Sequence, residues 1–240
     1  MRFLNRRRIL IAIGAIVIAF LALIGVIAAY LGSTAFHLRA RQYIAEQIAR
    51  RTGTQVTLAD FHWSLWHEAF ILEGLTLRGL EPVEEAPLAH FDRIQVGINL
   101  RTLLESRIDL SELTLVQPEF HLLVTQDGKT NIPSPPQESP RHPFQFSISV
   151  GDCKIRNGSA LVNEQRIHID FSVQNLEALL RYFDQREVLE THLQYDGVFD
   201  RVPNVEPAIP YTFTGDIDYT RGSLVAQQIR VSSEIGRAHV

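Results

Sequence analysis

The sequence is poor in the features that most readily betray a function. Cys153 is its single cysteine, so no disulfide can form within the chain, and a lone thiol is most simply a small buried apolar residue. Positive charge is not in surplus: 23 Lys and Arg face 27 Asp and Glu, for a formal net charge of -4. The densest basic clusters flank one apolar run instead of forming a stripe, which leaves no electrostatic case for a nucleic-acid partner. There is no His-Glu-x-x-His, no Gly-x-Ser-x-Gly, no phosphate loop and no paired-cysteine spacing, so the chain reads as a non-enzyme without cofactor or metal. The remaining enzymatic alternative is a site assembled across strands. His62 and His67 lie beside both tryptophans, Trp63 and Trp66, but a separation of five puts them on opposite faces of a strand and off any helical ligand spacing. His168 and His192 alternate with apolar positions and read as members of a polar face, and Asp216 and Asp218, flanking Ile217, read as solvated carboxylates.

Long hydrophobic runs are absent as well, with one exception. Ile9 to Leu31 carries no charge, and at about 1.5 Å per residue a helix of that length reaches roughly 34 Å, enough to cross a bilayer core. Arg2, Arg6, Arg7 and Arg8 precede it, so residues 1–8 are expected to form a cytoplasmic basic tail and everything after Leu31 to be exported. The rival is a cleaved signal peptide, for which Ser33, Thr34 and Ala35 offer a small-residue site. The run is longer than the usual h-region of about 7–15 residues, and Tyr30 suits a membrane interface, so an anchor is favoured.

Beyond the span, Phe36, Ala40, Tyr43, Ile44 and Ile48 recur at helical spacing opposite Arg39, Arg41, Glu46, Gln47 and Arg50. This predicts an amphipathic helix over 34–52, ended by Gly53, lying along the outer leaflet or capping the first strands of a sheet. From Gln55 the period becomes two. Ile94, Val96, Ile98 and Leu100 alternate with polar residues, as do Phe144, Phe146, Ile148 and Val150, and Ile167, Ile169, Phe171 and Val173. Weaker strand runs are Phe70–Arg78, Ile108–Val116, Glu119–Thr125, Thr191–Phe199, Tyr211–Tyr219 and Ser223–Ser233, with Asp127-Gly128 and Asn157-Gly158 read as tight turns. Leu176, Leu179, Leu180 and Phe183 predict a short helix over 175–183. Pro133, Pro135, Pro136, Pro140 and Pro143 make 131–143 a surface linker between a first β unit, 55–130, and a second, 144–233. The alternation stops at 234–240, whose wording matches the translation of a common sequencing adapter, so those residues are expected to be an artefact and the second unit to be truncated.

So many amphipathic strands leave a surplus of apolar face with almost nothing to cover it, and patches much beyond a few hundred Å² are unusual on soluble monomers. The expected lining of that face is Ile94, Val96, Ile98, Phe144, Phe146, Ile148, Ile167, Ile169 and Phe171.

Several stretches together resemble the N-terminal part of the AsmA and TamB superfamily. They are the arginine-flanked span and its following helix, Phe61-His62-Trp63-Ser64-Leu65-Trp66 leading into Leu72-Glu73-Gly74-Leu75-Thr76-Leu77-Arg78-Gly79, and Leu115-Val116-Gln117-Pro118-Glu119-Phe120-His121-Leu122 with the hairpin Asp127-Gly128-Lys129-Thr130-Asn131. Ile155-Arg156-Asn157-Gly158-Ser159-Ala160-Leu161 resembles the recurrent strand, Asn-Gly turn, strand that comes next. The resemblance, with the TamB-like branch favoured, implies a mainly β fold: a transmembrane helix and a short amphipathic helix followed by an elongated, curled antiparallel sheet that forms a groove. It implies a single-pass protein of the bacterial inner membrane, its bulk in the periplasm, that handles phospholipid or outer-membrane β-barrel clients. An outer-membrane partner would be met through a C-terminal region beyond this sequence. The alternative is a membrane-anchored scaffold whose strands close into a dry, ligand-free sandwich.

Overall fold

A computed structural model describes residues 18, 21–23, 25–26, 29–30, 32–64, 69–98, 108–134, 148–183, 188–201, 208–220 and 223–233. The chain divides into two compact units at Tyr43/Ile44. In the first, the described residues from Ile18 to Tyr30 are helical and exposed. Most of the expected span, the basic tail and residues 234–240 lie outside the described residues, and among the described ones no helix is long and apolar enough to cross a membrane.

Helix α1 spans Thr34–Thr52. Ser33 caps it by accepting the Phe36 amide at 3.2 Å, and Gly53, at φ 72°, ends it with its amide on the Ala49 carbonyl at 2.9 Å. In the second unit, nine strands form one open, curled sheet in sequential order: β1 Gln55–Ser64, β2 Ala69–Arg78, β3 Ala89–Ile98, β4 Ile108–Val124, β5 Ile148–Glu164, β6 Ile169–Phe183, β7 Val188–Arg201, β8 Ile209–Thr220 and β9 Ser223–Ser232. Neighbours are antiparallel except β4 and β5, which run parallel on either side of the proline-rich stretch. The sheet is therefore continuous across that stretch.

Side chains of register partners share a face. One row of partners reads Phe61, Leu72, Ile94, Leu115, Ile155, Ala178, Leu193 and Gly215 from β1 to β8. The row through Val56 continues with Leu77, Ala89, Phe120, Ala160, Val173, Gly197 and Tyr211. Between these rows the spacing along β2, β3 and β4 breaks from two to three: Leu75 to Leu72, Phe91 to Ile94, Pro118 to Leu115. Strict alternation would send one member of each pair to the other face. Left-handed residues reset the parity: Gly74 at φ 60°, Gln117 at 48°, Asn157 at 52°, Asn175 at 52° and Gln228 at 51°. They line up as a crease through β2, β4, β5, β6 and β9, with register shifts beside Asn157, Asn175 and Gln228, and bulges of that kind bend strands and increase their twist.

The crease corrects three sequence expectations. Ile108–Val116 and Glu119–Thr125 are one strand, β4, with Gln117 left-handed at φ 48° and Pro118 fully buried. Asn157-Gly158 is not a turn but the bulge inside β5, where a Cβ on Gly158 would come within 3.1 Å of both Ile155 and Pro118. Residues 175–183 are not helical: they complete β6, paired with β5 on one side and β7 on the other. Ladder bonds on both edges override a helical spacing of leucines that alternation through Leu176, Ala178 and Leu180 satisfies as well. Asp127-Gly128 is the expected turn, with Gly128 at φ 81°. β6 begins at Ile169, leaving Ile167 and His168 in the turn before it.

Candidate functional site

The apolar face falls into a covered part and an open part. Over β1–β3, Leu58, Leu75, Ala89, Phe91 and Ile94 form a buried cluster, against which Ile44, Ala45 and Ile48 of α1 pack together with Val96, Leu113 and Leu115. Ile44 and Ile48 belong to the apolar stripe that predicted the helix, whereas Ala45 does not and Tyr43 of that stripe is exposed. Beyond β5 no described helix joins this cluster, and large apolar side chains stay accessible: Phe199 is 37% exposed, Tyr219 53% and Val231 59%.

The open part is built from aromatic rings. Phe171 on β6 lies 5.1 Å from Phe199 on β7, and Phe199 lies 5.5 Å from Tyr211 on β8. Tyr195 stands 6.0 Å from Tyr211 and stacks on Phe213 at 5.1 Å. Gly197 makes this possible, because the Tyr211 ring lies over it and leaves no room for a Cβ. Burial, then the Tyr195 hydroxyl, push the Tyr211 hydroxyl above the ordinary phenol range, so it stays neutral in the ladder.

Charge is carried on the opposite face. Glu73 pairs with Arg93 at 2.9 Å, Glu112 with Lys154 at 3.0 Å, Asp152 with Arg181 at 3.2 Å and His192 with Asp216 at 2.6 Å. Hydrogen bonds from Thr114 and Lys154 hold the Glu112 carboxyl below its usual range. His62 lies 3.3 Å from Asp60 and 3.7 Å from Glu73, and Asp218 accepts from Gln227 at 3.1 Å. These exposed cross-strand pairs hold register more than they add stability. Among the described residues no group of three or more His, Cys, Asp or Glu could hold a metal ion.

The residues expected to line a groove are dispersed by this partition. Ile94 and Ile98 are buried and Val96 packs against the helix-covered cluster. Ile169 and Phe171 lie in β6, Phe171 within the open ladder, whereas Ile167 sits in the turn and is 56% exposed. Ile148 begins β5 opposite Ile108, and Phe144 and Phe146 lie outside the described residues. Sequence reading missed Tyr195, Phe199, Tyr211 and Phe213. Their signal was present as aromatic alternation through Gly197 and Thr212, in runs noted only as weak strands.

In comparison with known proteins, the model of the AsmA family matches residues 7–204 of this chain. No curated protein matches it.

Proposed function

Since the chain belongs to the AsmA family, we propose that it is a membrane-anchored transport or assembly factor whose curled sheet carries hydrocarbon on its open apolar face. The observation that supports this reading is the aromatic ladder from Phe171 to Phe213, an apolar surface continuous with the core but left uncovered by α1. Phospholipid acyl chains fit a face that offers rings and aliphatic groups while charge is kept behind it. The anchor is the apolar run 9–31, with the amino terminus in the cytoplasm and the sheet in the periplasm. β-Barrel clients and the TamB-like branch belong to the same proposal, resting on the strand and hairpin pattern from Leu115 to Asn131. The scaffold alternative needs two packed sheets, and all nine described strands lie in one.

The test is photocrosslinking in cells, with a photoreactive residue in place of Phe199 in the full chain. Adducts containing phospholipid are expected. Adducts with an outer-membrane protein instead would assign the face to the client, and the absence of both from a folded protein would sink the proposal.

A further inference from the structure

The aromatic ladder of the open face is not wholly apolar. Tyr195 on β7 and Tyr211 on β8, both half-buried, bring two phenol hydroxyls into it. Gly197 is the register partner of Tyr211, and the Tyr211 hydroxyl oxygen lies 2.5 Å from the point that a Cβ on Gly197 would occupy. The tip of the Tyr211 phenol therefore reaches back over the β7 backbone. Tyr195 precedes Gly197 by two residues on the same face, and its hydroxyl and that of Tyr211 are hydrogen-bonded to each other. Hydrocarbon flanks the pair. Phe213 stacks on Tyr195 at 5.1 Å, while Phe199 and Phe171 stack on Tyr211 at 5.5 and 6.2 Å.

The two hydroxyls carry two hydrogens and share one between them, whichever oxygen donates. One hydrogen is left over in either arrangement, and among the described residues nothing else bonds either oxygen. On the bare sheet, water takes it. Acyl chains lying over the ladder expel that water, and a hydroxyl left unpaired against hydrocarbon is costly unless the cargo brings an acceptor. The surroundings select which acceptor. The ion pairs of Lys154 with Glu112 and Arg181 with Asp152 lie on the opposite face, so they do not neutralise an anion here. A phosphate or carboxylate among the rings would thus be far harder to desolvate than a neutral group. A neutral carbonyl joined directly to hydrocarbon fits, and the acyl ester is where a diacyl lipid carries one.

We infer that the Tyr195–Tyr211 hydroxyl pair is a polar foothold on the cargo face: it donates a hydrogen bond to the ester carbonyl of a diacyl lipid and so fixes where along the ladder the acyl chain begins. This rests on the hydrocarbon reading and names its substrate class, acyl esters over ethers. Either tyrosine alone keeps a free hydrogen when the other hydroxyl is removed, so both must be lost to abolish the donor.

The full chain, purified in detergent, is incubated with vesicles holding equal parts of a diester and a diether phosphatidylethanolamine of the same chain length, and the lipid retained after repurification is counted by mass spectrometry. The parent is expected to favour the diester by about two- to tenfold, the preference that one neutral hydrogen bond supplies. Tyr195→Phe and Tyr211→Phe should each keep most of that preference. The double variant, which retains both rings, should bind lipid without it. In parent protein loaded with diester labelled with carbon-13 at the carbonyl, the infrared carbonyl band should lie at lower frequency than in the double variant. Equal uptake of the two lipids by the parent, or a preference that survives in the double variant, overturns the inference and leaves the hydrocarbon reading standing. A folded parent that retains neither lipid overturns both.

Discussion

Asn131 shows how much one side chain can hold. It is 2% exposed, and its Oδ1 accepts the Leu123 amide at 3.1 Å while its Nδ2 donates to the His121 carbonyl at 2.8 Å and to Glu81 at 3.3 Å. Its backbone donates to the Leu123 carbonyl and accepts from Leu80. The residue after the Asp127-Gly128 turn thus locks the returning chain to the end of β4 and to the β2–β3 loop. In Asn131→Leu the backbone groups of Leu123 and His121 lose their side-chain partner in a buried setting, at about 1–3 kcal/mol for each group left unsatisfied. Denaturant unfolding of the purified chain should show a loss of about 3 kcal/mol. A loss below about 1 kcal/mol would mean that water replaces the amide. The motif was visible in the sequence, but its role was not, because Glu81 lies 50 residues away.

At the level of elements, sequence and structure part company mainly along the crease. The alternating runs announced β2, β3, β7, β8 and β9, and the helical spacing with Gly53 announced α1. The expectations that failed for β4, β5 and β6 each lie at a left-handed residue: Gln117, Asn157 and Asn175. A bulge shifts alternation by one residue, so locally it looks like a turn, a strand break or a helical spacing. Only the neighbouring strands reveal that the chain runs straight on. The aromatic ladder escaped notice for a related reason, since its rings meet across β6, β7 and β8 and no single segment contains it. The crease is directly testable. Asparagine tolerates the left-handed region, whereas a β-branched residue does not. Asn157→Val should therefore destabilise the sheet by about 1–2 kcal/mol, and Asn157→Gly should be within about 0.5 kcal/mol of the parent. Equal losses for the two variants, measured by thermal unfolding, would show that the side chain and not the backbone conformation matters at this position.

For the second unit as a whole, the governing fact is that one apolar face serves two purposes. Where α1 lies on it, the face is a core; where α1 ends its cover, the same pattern of residues is presented outward. An aspartate introduced on this face consequently has a different meaning in each part. Val96 packs in the cluster under Ile44, Ala45 and Ile48, so Val96→Asp places a carboxylate in close-packed hydrocarbon. The cost, about 3 kcal/mol or more, is a large share of the roughly 5–15 kcal/mol that keeps a domain folded, and the variant should unfold or lose its helix packing. Phe199 stands on the open part with 37% of its surface accessible, so the carboxylate of Phe199→Asp can remain hydrated while it removes the ring that joins Phe171 to Tyr211. That variant should melt within a few degrees of the parent yet retain much less co-purifying phospholipid. A Phe199→Asp chain that stays folded with its lipid content intact would show that hydrocarbon is not carried on this ladder. Val96→Asp that folds normally would show that the helix does not seal the first strands, and the division of the face into core and carrier would have to be redrawn.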